Sequence, residues 1–313
     1  MKEAYVERRR DWVLLFCKGF AMGAANVVPG VSGGTVAFVT GIYERLINAL
    51  KSFDTNGFSL LLKGQFKALL THVDFWFLFT LGVGVIASVF TLAKLLAIGF
   101  ERYPVYLAAL FFGLIFASVF SVGKRVKVWT LSTVIALSIG LVFAVGLTFA
   151  PTATENTSFV YLMLCGMVAM CSMIIPGVSG SFVLLLMGNY QLIMIETVNG
   201  LRAGDFAMAV PILLPVAAGA VIGLIVLSRF LSWLFRRHHD NAVAVITGFV
   251  AGSLVIIWPW KSPGELINNN GEQKILSYVN QLPDLDLSFG LALIIMAAGA
   301  ILLLAVDKLG SAH

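Results

Sequence analysis

The sequence predicts an all-α polytopic membrane protein of two inverted-topology repeats, each a re-entrant broken-helix element followed by three transmembrane helices. Three observations predict it. The chain is too apolar for a soluble domain: 59% of its 313 residues are hydrophobic and 12% are charged, against roughly 25% charged in soluble domains. Long apolar runs are separated by polar connectors that alternate between rich and poor in lysine and arginine. Finally, a proline-glycine-serine interruption occurs twice, as Pro29-Gly30-Val31-Ser32-Gly33-Gly34-Thr35 and as Pro176-Gly177-Val178-Ser179-Gly180-Ser181-Phe182.

Composition excludes several classes of function. The net charge of +5 is spread between apolar runs rather than gathered in one patch, so it reads as a topology signal and not as a nucleic-acid surface. Cys17, Cys165 and Cys171 lie in apolar segments without metal-ligand spacing or a disulfide pattern. His72, His238, His239 and His313 fall in polar connections or at the terminus. No metal and no cofactor is expected. Arg8-Arg9-Arg10 followed by an apolar stretch resembles a signal peptide. The stretch and its break return later in the chain, so both are expected to belong to the mature fold.

The first element covers residues 12–50. As one straight helix it would span about 58 Å, far beyond a hydrocarbon core of about 30 Å. It must turn back, either as re-entrant half-helices or as a hairpin of two full crossings. Proline removes a backbone donor and glycine lowers helix stability, so the turn falls at Pro29 to Thr35. In Gly57 to Leu70, Phe58, Leu61, Leu62, Phe66, Leu69 and Leu70 share one helical face opposite Lys63 and Lys67. That pattern suits either a helix lying in the interface or a short packed surface helix. Three spans follow at Phe75–Ile98, Val105–Val122 and Val128–Phe149.

Residues 151–313 repeat the plan of residues 1–150. Phe159 to Ile175 leads to the second break, Val183 to Ile195 follows it, and spans are expected at Ala207–Leu227, Val243–Ile257 and Leu287–Val306. A shift of 147 aligns Gly19 with Gly166, Pro29 with Pro176, Gly41 with Gly188 and Tyr43 with Tyr190. A shift of 135 then pairs Lys94 with Arg229, Gly113 with Gly248 and Ser118 with Ser253. Internal repetition of this kind specifies architecture. Three crossings per half is an odd number, so the halves must be inverted. With both termini in the cytoplasm, the inner connections hold Arg8, Arg9, Arg10, Lys51, Lys63, Lys67, Lys124, Arg125, Lys127, Arg236, Arg237 and Lys308. The outer ones hold Arg102, Arg202, Lys261 and Lys274 among more acids, as the positive-inside rule requires.

Paired interruptions at matching positions of two halves point to a transporter's binding site. Helix starts offer unpaired amides and a positive dipole end, which favour an anion, and glycine lets a phosphate approach the backbone. Candidate substrate-binding residues are therefore Asn26, Gly30, Ser32, Gly33, Gly34, Thr35, Gly177, Ser179, Gly180 and Ser181, with Lys94 and Arg229 as cations from the two halves. The competing reading of the glycines and serines is close helix packing, and that of Lys94 and Arg229 is snorkelling to an interface. Glu44 and Arg45 either pair structurally or couple transport to an ion. Lys18 is expected to snorkel, and Tyr43 and Tyr190 to sit as interfacial aromatics. No nucleophile–base set is visible, so enzymatic chemistry is not expected.

Asn26-Val27-Val28-Pro29-Gly30-Val31-Ser32-Gly33-Gly34-Thr35 with Gly41-Ile42-Tyr43-Glu44, and Ile175-Pro176-Gly177-Val178-Ser179-Gly180-Ser181-Phe182 with Gly188-Asn189-Tyr190, resemble the two signatures of the bacterial polyprenyl-phosphate transporters, long filed as a domain of unknown function. The resemblance spans essentially the whole chain. It implies translocation of undecaprenyl phosphate, the lipid carrier of cell-wall precursors, toward the inner leaflet of the cytoplasmic membrane. The partners it implies are that lipid phosphate and membrane lipids; a homo-oligomer is compatible with the sequence. The alternatives are a secondary transporter of a small soluble anion and a membrane lipid phosphatase.

Overall fold

The computed structural model describes residues 9–27, 32–263, 266–269, 272–275 and 278–311. Pro29 and Gly30 lie outside the described residues. Helix α1 (Arg9–Val27) is followed by the short α2 (Gly33–Val39) and by α3 (Tyr43–Lys51). Helix α2 runs back along α1. Its first amide, Gly33 N, donates to Asn26 Oδ1 at 2.8 Å near the end of α1, while Thr40 O beyond its last turn accepts from Lys18 Nζ at 2.9 Å, midway along α1. Gly41 adopts φ 76°, a left-handed conformation that glycine reaches without a Cβ penalty, and this lets the chain turn from α2 into α3.

Helices α4 (Thr55–Leu62) and α5 (Phe66–His72) form a surface hairpin. The expected single helix over 57–70 is broken at Gly64, whose φ of 67° ends the first turn run. The long apolar helices follow: α6 (Phe75–Arg102), α7 (Pro104–Gly123) and α8 (Leu131–Thr148). Proline opens α7 at its first position, where no amide is needed. A capping box between Thr130 and Thr133 opens α8.

The second half holds α9 (Phe159–Ile174), α10 (Gly180–Leu186), a π-helical turn (Gln191–Glu196), α11 (Thr197–Ala203), α12 (Phe206–Arg237), α13 (His239–Ser253) and α14 (Leu287–Ser311). Helix α12 tolerates Pro211 and Pro215 in its interior. At about 48 Å it exceeds the hydrocarbon core, and Arg236 and Arg237 end it. Among the described residues, five helices are long and apolar enough to cross a membrane: those containing Phe75–Leu92, Pro104–Gly123, Leu131–Thr148, Phe206–Arg237 and Leu287–Ala305. The span expected at Val243–Ile257 falls on the 15-residue α13, which starts four residues earlier, gives way to turns at Leu254 and is shorter than these five. The polar segment after it also departs from an all-α chain. Strands β1 (Lys261–Pro263) and β4 (Tyr278–Asn280) pair antiparallel, as do β2 (Leu266–Asn269) and β3 (Glu272–Ile275).

Helix pairing sets the frame. Helix α1 packs on α6 and α9 on α12, each within its own half, whereas α7 packs on α14 and α8 on α13, across the halves. Glycines make these crossings close. A Cβ at Gly19 would run into Leu81 O and one at Gly84 into Phe16 O; Gly166 stands in the same way against Val216 O and Gly219 against Met163 O. Across the halves, Gly113 and Gly299 stand against Met296 O and Leu110 O, and Gly248 and Gly140 against Leu137 O and Val245 O. These are small-residue interfaces that let helix backbones touch in a medium without a hydrophobic driving force.

The main buried cluster gathers around α2 and α3 and includes Phe38, Tyr43, Ile47, Phe77, Val122, Phe235 and Val250. The outward faces of the long helices carry exposed Phe79, Ile86, Phe90, Val142, Val221, Val226 and Ile301. So large an apolar exterior requires lipid around it.

Candidate functional site

The two breaks meet. Ser32 caps α2 in the extended conformation, its Oγ accepting from Gly34 N at 3.1 Å. Its hydroxyl faces the Met173 and Ile175 carbonyls, both at 3.4 Å. Thr35 Oγ1 accepts from Gly177 N at 3.0 Å, and Tyr43 OH donates to Ile174 O at 3.1 Å. The last carbonyls of a helix have no partner within it. Side chains from the first break thus serve the carbonyls at the end of α9 and the amide of the second break. Gly34 is required by the contact itself, since a Cβ there would stand 2.6 Å from Ile174 O. Gly177 is required twice over: its φ is 89°, and a Cβ would stand 2.6 Å from Phe249 O on α13.

Asn26, Ser32, Gly33, Gly34, Thr35 and Gly177 are therefore assembled in one joint. Ser179 and Ser181 pair hydroxyl to hydroxyl at 2.8 Å beside it. Gly180 is approached by Met173 Cγ, 2.6 Å from where a Cβ would stand. Three amides that the sequence marks as open to an anion, those of Gly33, Gly34 and Gly177, already hold side-chain oxygens. Arg229 is exposed on α12, and none of the described bonds of the joint involves it. The side chain of Lys94 and residue Gly30 lie outside what is described.

Glu44 and Arg45 pair with neighbouring elements rather than with each other. Arg45 forks onto Asp74 at 2.8 and 3.1 Å and lies 4.3 Å above the Phe77 ring, tying α3 to the start of α6. Glu44 Oε1 is 3.4 Å from His239 Nε2 at the start of α13.

Three residues exceed their sequence reading. Tyr43 is 2% exposed and not interfacial; its ring packs on Phe38 and Phe235. Its match with Tyr190 across the repeat was the available signal. Lys18 and Arg125 both reach the end of α2: Lys18 bonds Thr40 O, and Arg125 Nη2 donates to Val39 O at 2.6 Å with its guanidinium over Phe38. Nothing local in the sequence marks them beyond their charge. In the second half, Asn189 is fully buried and holds Asn156 through both its amide atoms, at 3.0 and 2.8 Å.

Such an arrangement, long apolar helices around a joint of two broken ones, defines a multi-pass helical membrane protein whose halves interlock at their breaks. A family model described as undecaprenyl phosphate translocase-like (VCA0040-like) matches residues 22–274. The chain belongs to this family. It is 35% identical over 306 residues to a polyprenyl-phosphate transporter of Vibrio cholerae, covering 95% of this chain and 97% of the relative. It is 29% identical over 260 residues to a polyprenyl-phosphate transporter of Staphylococcus aureus, covering 79% of this chain and 86% of that one. No solved structure matches the chain.

Proposed function

We propose that this protein translocates undecaprenyl phosphate across the bacterial cytoplasmic membrane toward the inner leaflet, with the phosphate handled at the joint of the two breaks. Family membership and the relatives' names support a polyprenyl-phosphate cargo. The observation that carries the site is the set of side-chain oxygens on the Gly33, Gly34 and Gly177 amides. Asn26 Oδ1, Ser32 Oγ and Thr35 Oγ1 stand where phosphate oxygens would stand, and each can rotate away. Separation of the halves exchanges them for the head group, to which the freed Ser32 and Thr35 hydroxyls then donate, together with those of Ser179 and Ser181. The apolar tail stays in lipid throughout, so a lateral opening between the halves is sufficient.

On this reading residues 1–150 and 151–313 are inverted repeats with both termini cytoplasmic, the short α13 with the turns after it makes the sixth crossing, and α1–α2 and α9–α10 are re-entrant from opposite faces. The glycine contacts support the repeat. Gly19 with Leu81 and Gly166 with Val216 are related by the shifts of 147 and 135 read from sequence, as are Phe16 with Gly84 and Met163 with Gly219. The halves rock about the glycine-packed α7–α14 and α8–α13 pairs. The transport is non-enzymatic.

Mass spectrometry of lipid co-purifying with the protein tests the cargo. Bound undecaprenyl phosphate is expected. A soluble anion bound without lipid would favour the secondary-transporter alternative, and release of inorganic phosphate from the lipid would favour a phosphatase.

A further inference from the structure

Helix α5 ends at His72, and the apolar window of α6 opens at Phe75. Only Val73 and Asp74 lie between them, so the α4–α5 hairpin stands at the level where α6 enters the bilayer. Aromatic rings mark that level. Phe75, Trp76 and Phe79 cluster with centroids 5.4, 5.7 and 6.1 Å apart, and Trp76 and Phe79 are exposed, as in an interfacial belt. The hairpin has little protein beneath it: α4 packs on α5, and α5 on α6. Of the residues of α4 and α5, Gly57 alone is buried. Phe58, Leu61, Leu62 and Phe66 are 62%, 46%, 72% and 61% exposed. The spacing of Phe58, Leu61 and Leu62 puts these three on one face of α4. Helices of eight and seven residues are marginal in water by themselves, so this apolar face needs a cover. The charge around it has one sign. Residues 55–72 contain Lys63, Lys67 and His72 and no acid, and both lysines are exposed. The flanking acids are engaged, Asp54 by Gly57 N and His72, and Asp74 by Arg45.

We propose that the α4–α5 hairpin docks on the surface of an anionic phospholipid bilayer. Phe58, Leu61 and Leu62 enter the boundary between head groups and acyl chains, and Lys63 and Lys67 meet the lipid phosphates. Position and charge select this occupant. The apolar face continues the lipid-facing exterior that begins with Trp76 and Phe79, and the lysines complement an anionic surface. A second copy of the hairpin would instead set Lys63 and Lys67 against like charges, which is costly. On the topology proposed above, the surface is that of the inner leaflet. Docking of this kind requires only that α6 spans the bilayer, whatever the cargo.

Phosphatidylglycerol carrying a diazirine in its acyl chain tests this in nanodiscs holding the full-length wild-type protein, with adducts mapped by mass spectrometry after irradiation. Adducts on Phe58, Leu61 or Leu62 are expected beside those on Phe79 and Phe90, which are exposed on α6. Adducts on α6 with none on Thr55–Leu62 overturn the docking. The same diazirine chain on phosphatidylcholine is expected to label the hairpin about fivefold less or weaker still. Equal labelling by the two lipids removes the role of charge and overturns the proposal. Lys63→Gln with Lys67→Gln, both at exposed positions, is expected to abolish the preference for phosphatidylglycerol while labelling of α6 stays at its wild-type level; a preference that survives in this variant also overturns it. Amine cross-links joining Lys63 of two copies, in place of lipid adducts, would assign the face to a dimer and contradict the bilayer as its cover.

Discussion

Thr35 Oγ1 accepts the Gly177 amide at 3.0 Å, so a hydroxyl of the first break holds the main chain of the second, 142 residues away. A buried amide left without a partner costs about 1–3 kcal/mol. Thr35→Val, which keeps the shape and removes the acceptor, is expected to destabilise by that amount and to lose transport. Thr35→Ser is expected to retain both. Thermal unfolding in detergent beside a transport assay separates the two substitutions; equal behaviour of Val and Ser contradicts the role of the hydroxyl.

Glycine substitutions in the joint follow the space around each position. Gly34→Ala puts a Cβ 2.6 Å from the Ile174 carbonyl, a backbone atom that cannot step aside. Overpacking of this kind costs about 1–3 kcal/mol. A Cβ at Gly82 in α6 would meet no described atom within 4 Å, so Gly82→Ala is expected to be neutral, or stabilising by up to about 1 kcal/mol through helix propensity. A melting series over the two variants checks the order.

The Arg45–Asp74 fork is half exposed, with side chains 42% and 34% accessible. An exposed pair contributes about 0–1 kcal/mol, and the guanidinium over Phe77 adds a similar increment. Arg45→Ala is therefore expected to shift the thermal midpoint modestly and leave transport intact. Loss of ion dependence in a flux assay would return Arg45 to a coupling role.

The N-cap of α4 is expected to respond to acid. The Gly57 N–H donating to Asp54, helped by the His72 side chain, holds the Asp54 carboxyl below the usual carboxylate range. A carboxyl depressed in the folded state contributes stability that is present above its unfolded value, about 3.9, and lost as pH falls through the lower folded value. Hydrogen exchange over Thr55–Leu62 is expected to quicken in acid, and Asp54→Asn is expected to remove that pH dependence.

Much of this was legible in the chain because its signals are local. Proline and glycine announce both breaks, and apolar length announces the long helices. Gly19 and Gly166, or Gly113 and Gly248, announce close crossings even before their partners are known. What stayed hidden is tertiary. Which helix fills the space above a glycine is not written beside it, so the cross-half pairs α7–α14 and α8–α13 had no local trace. Lys18 and Arg125 read as topology charges because their carbonyl partners are brought to them only by the return of α2. The amides of Gly33, Gly34 and Gly177 read as open because capping by Asn26, Ser32 and Thr35 depends on side-chain orientation. The π-helical turn at Gln191–Glu196, with Thr197 Oγ1 donating to Leu192 O at 2.6 Å, departs from α-periodicity by one residue per turn, too little for pattern to register.

The most direct measurement is transbilayer movement of undecaprenyl phosphate in proteoliposomes, comparing wild type with a Ser32→Ala, Thr35→Val protein that still folds. Rapid movement by the wild type and a loss of about a hundredfold or more in the variant is the expected result, corresponding to about 3 kcal/mol of lost stabilisation. Undiminished movement in the folded variant would contradict a phosphate passage at the joined breaks.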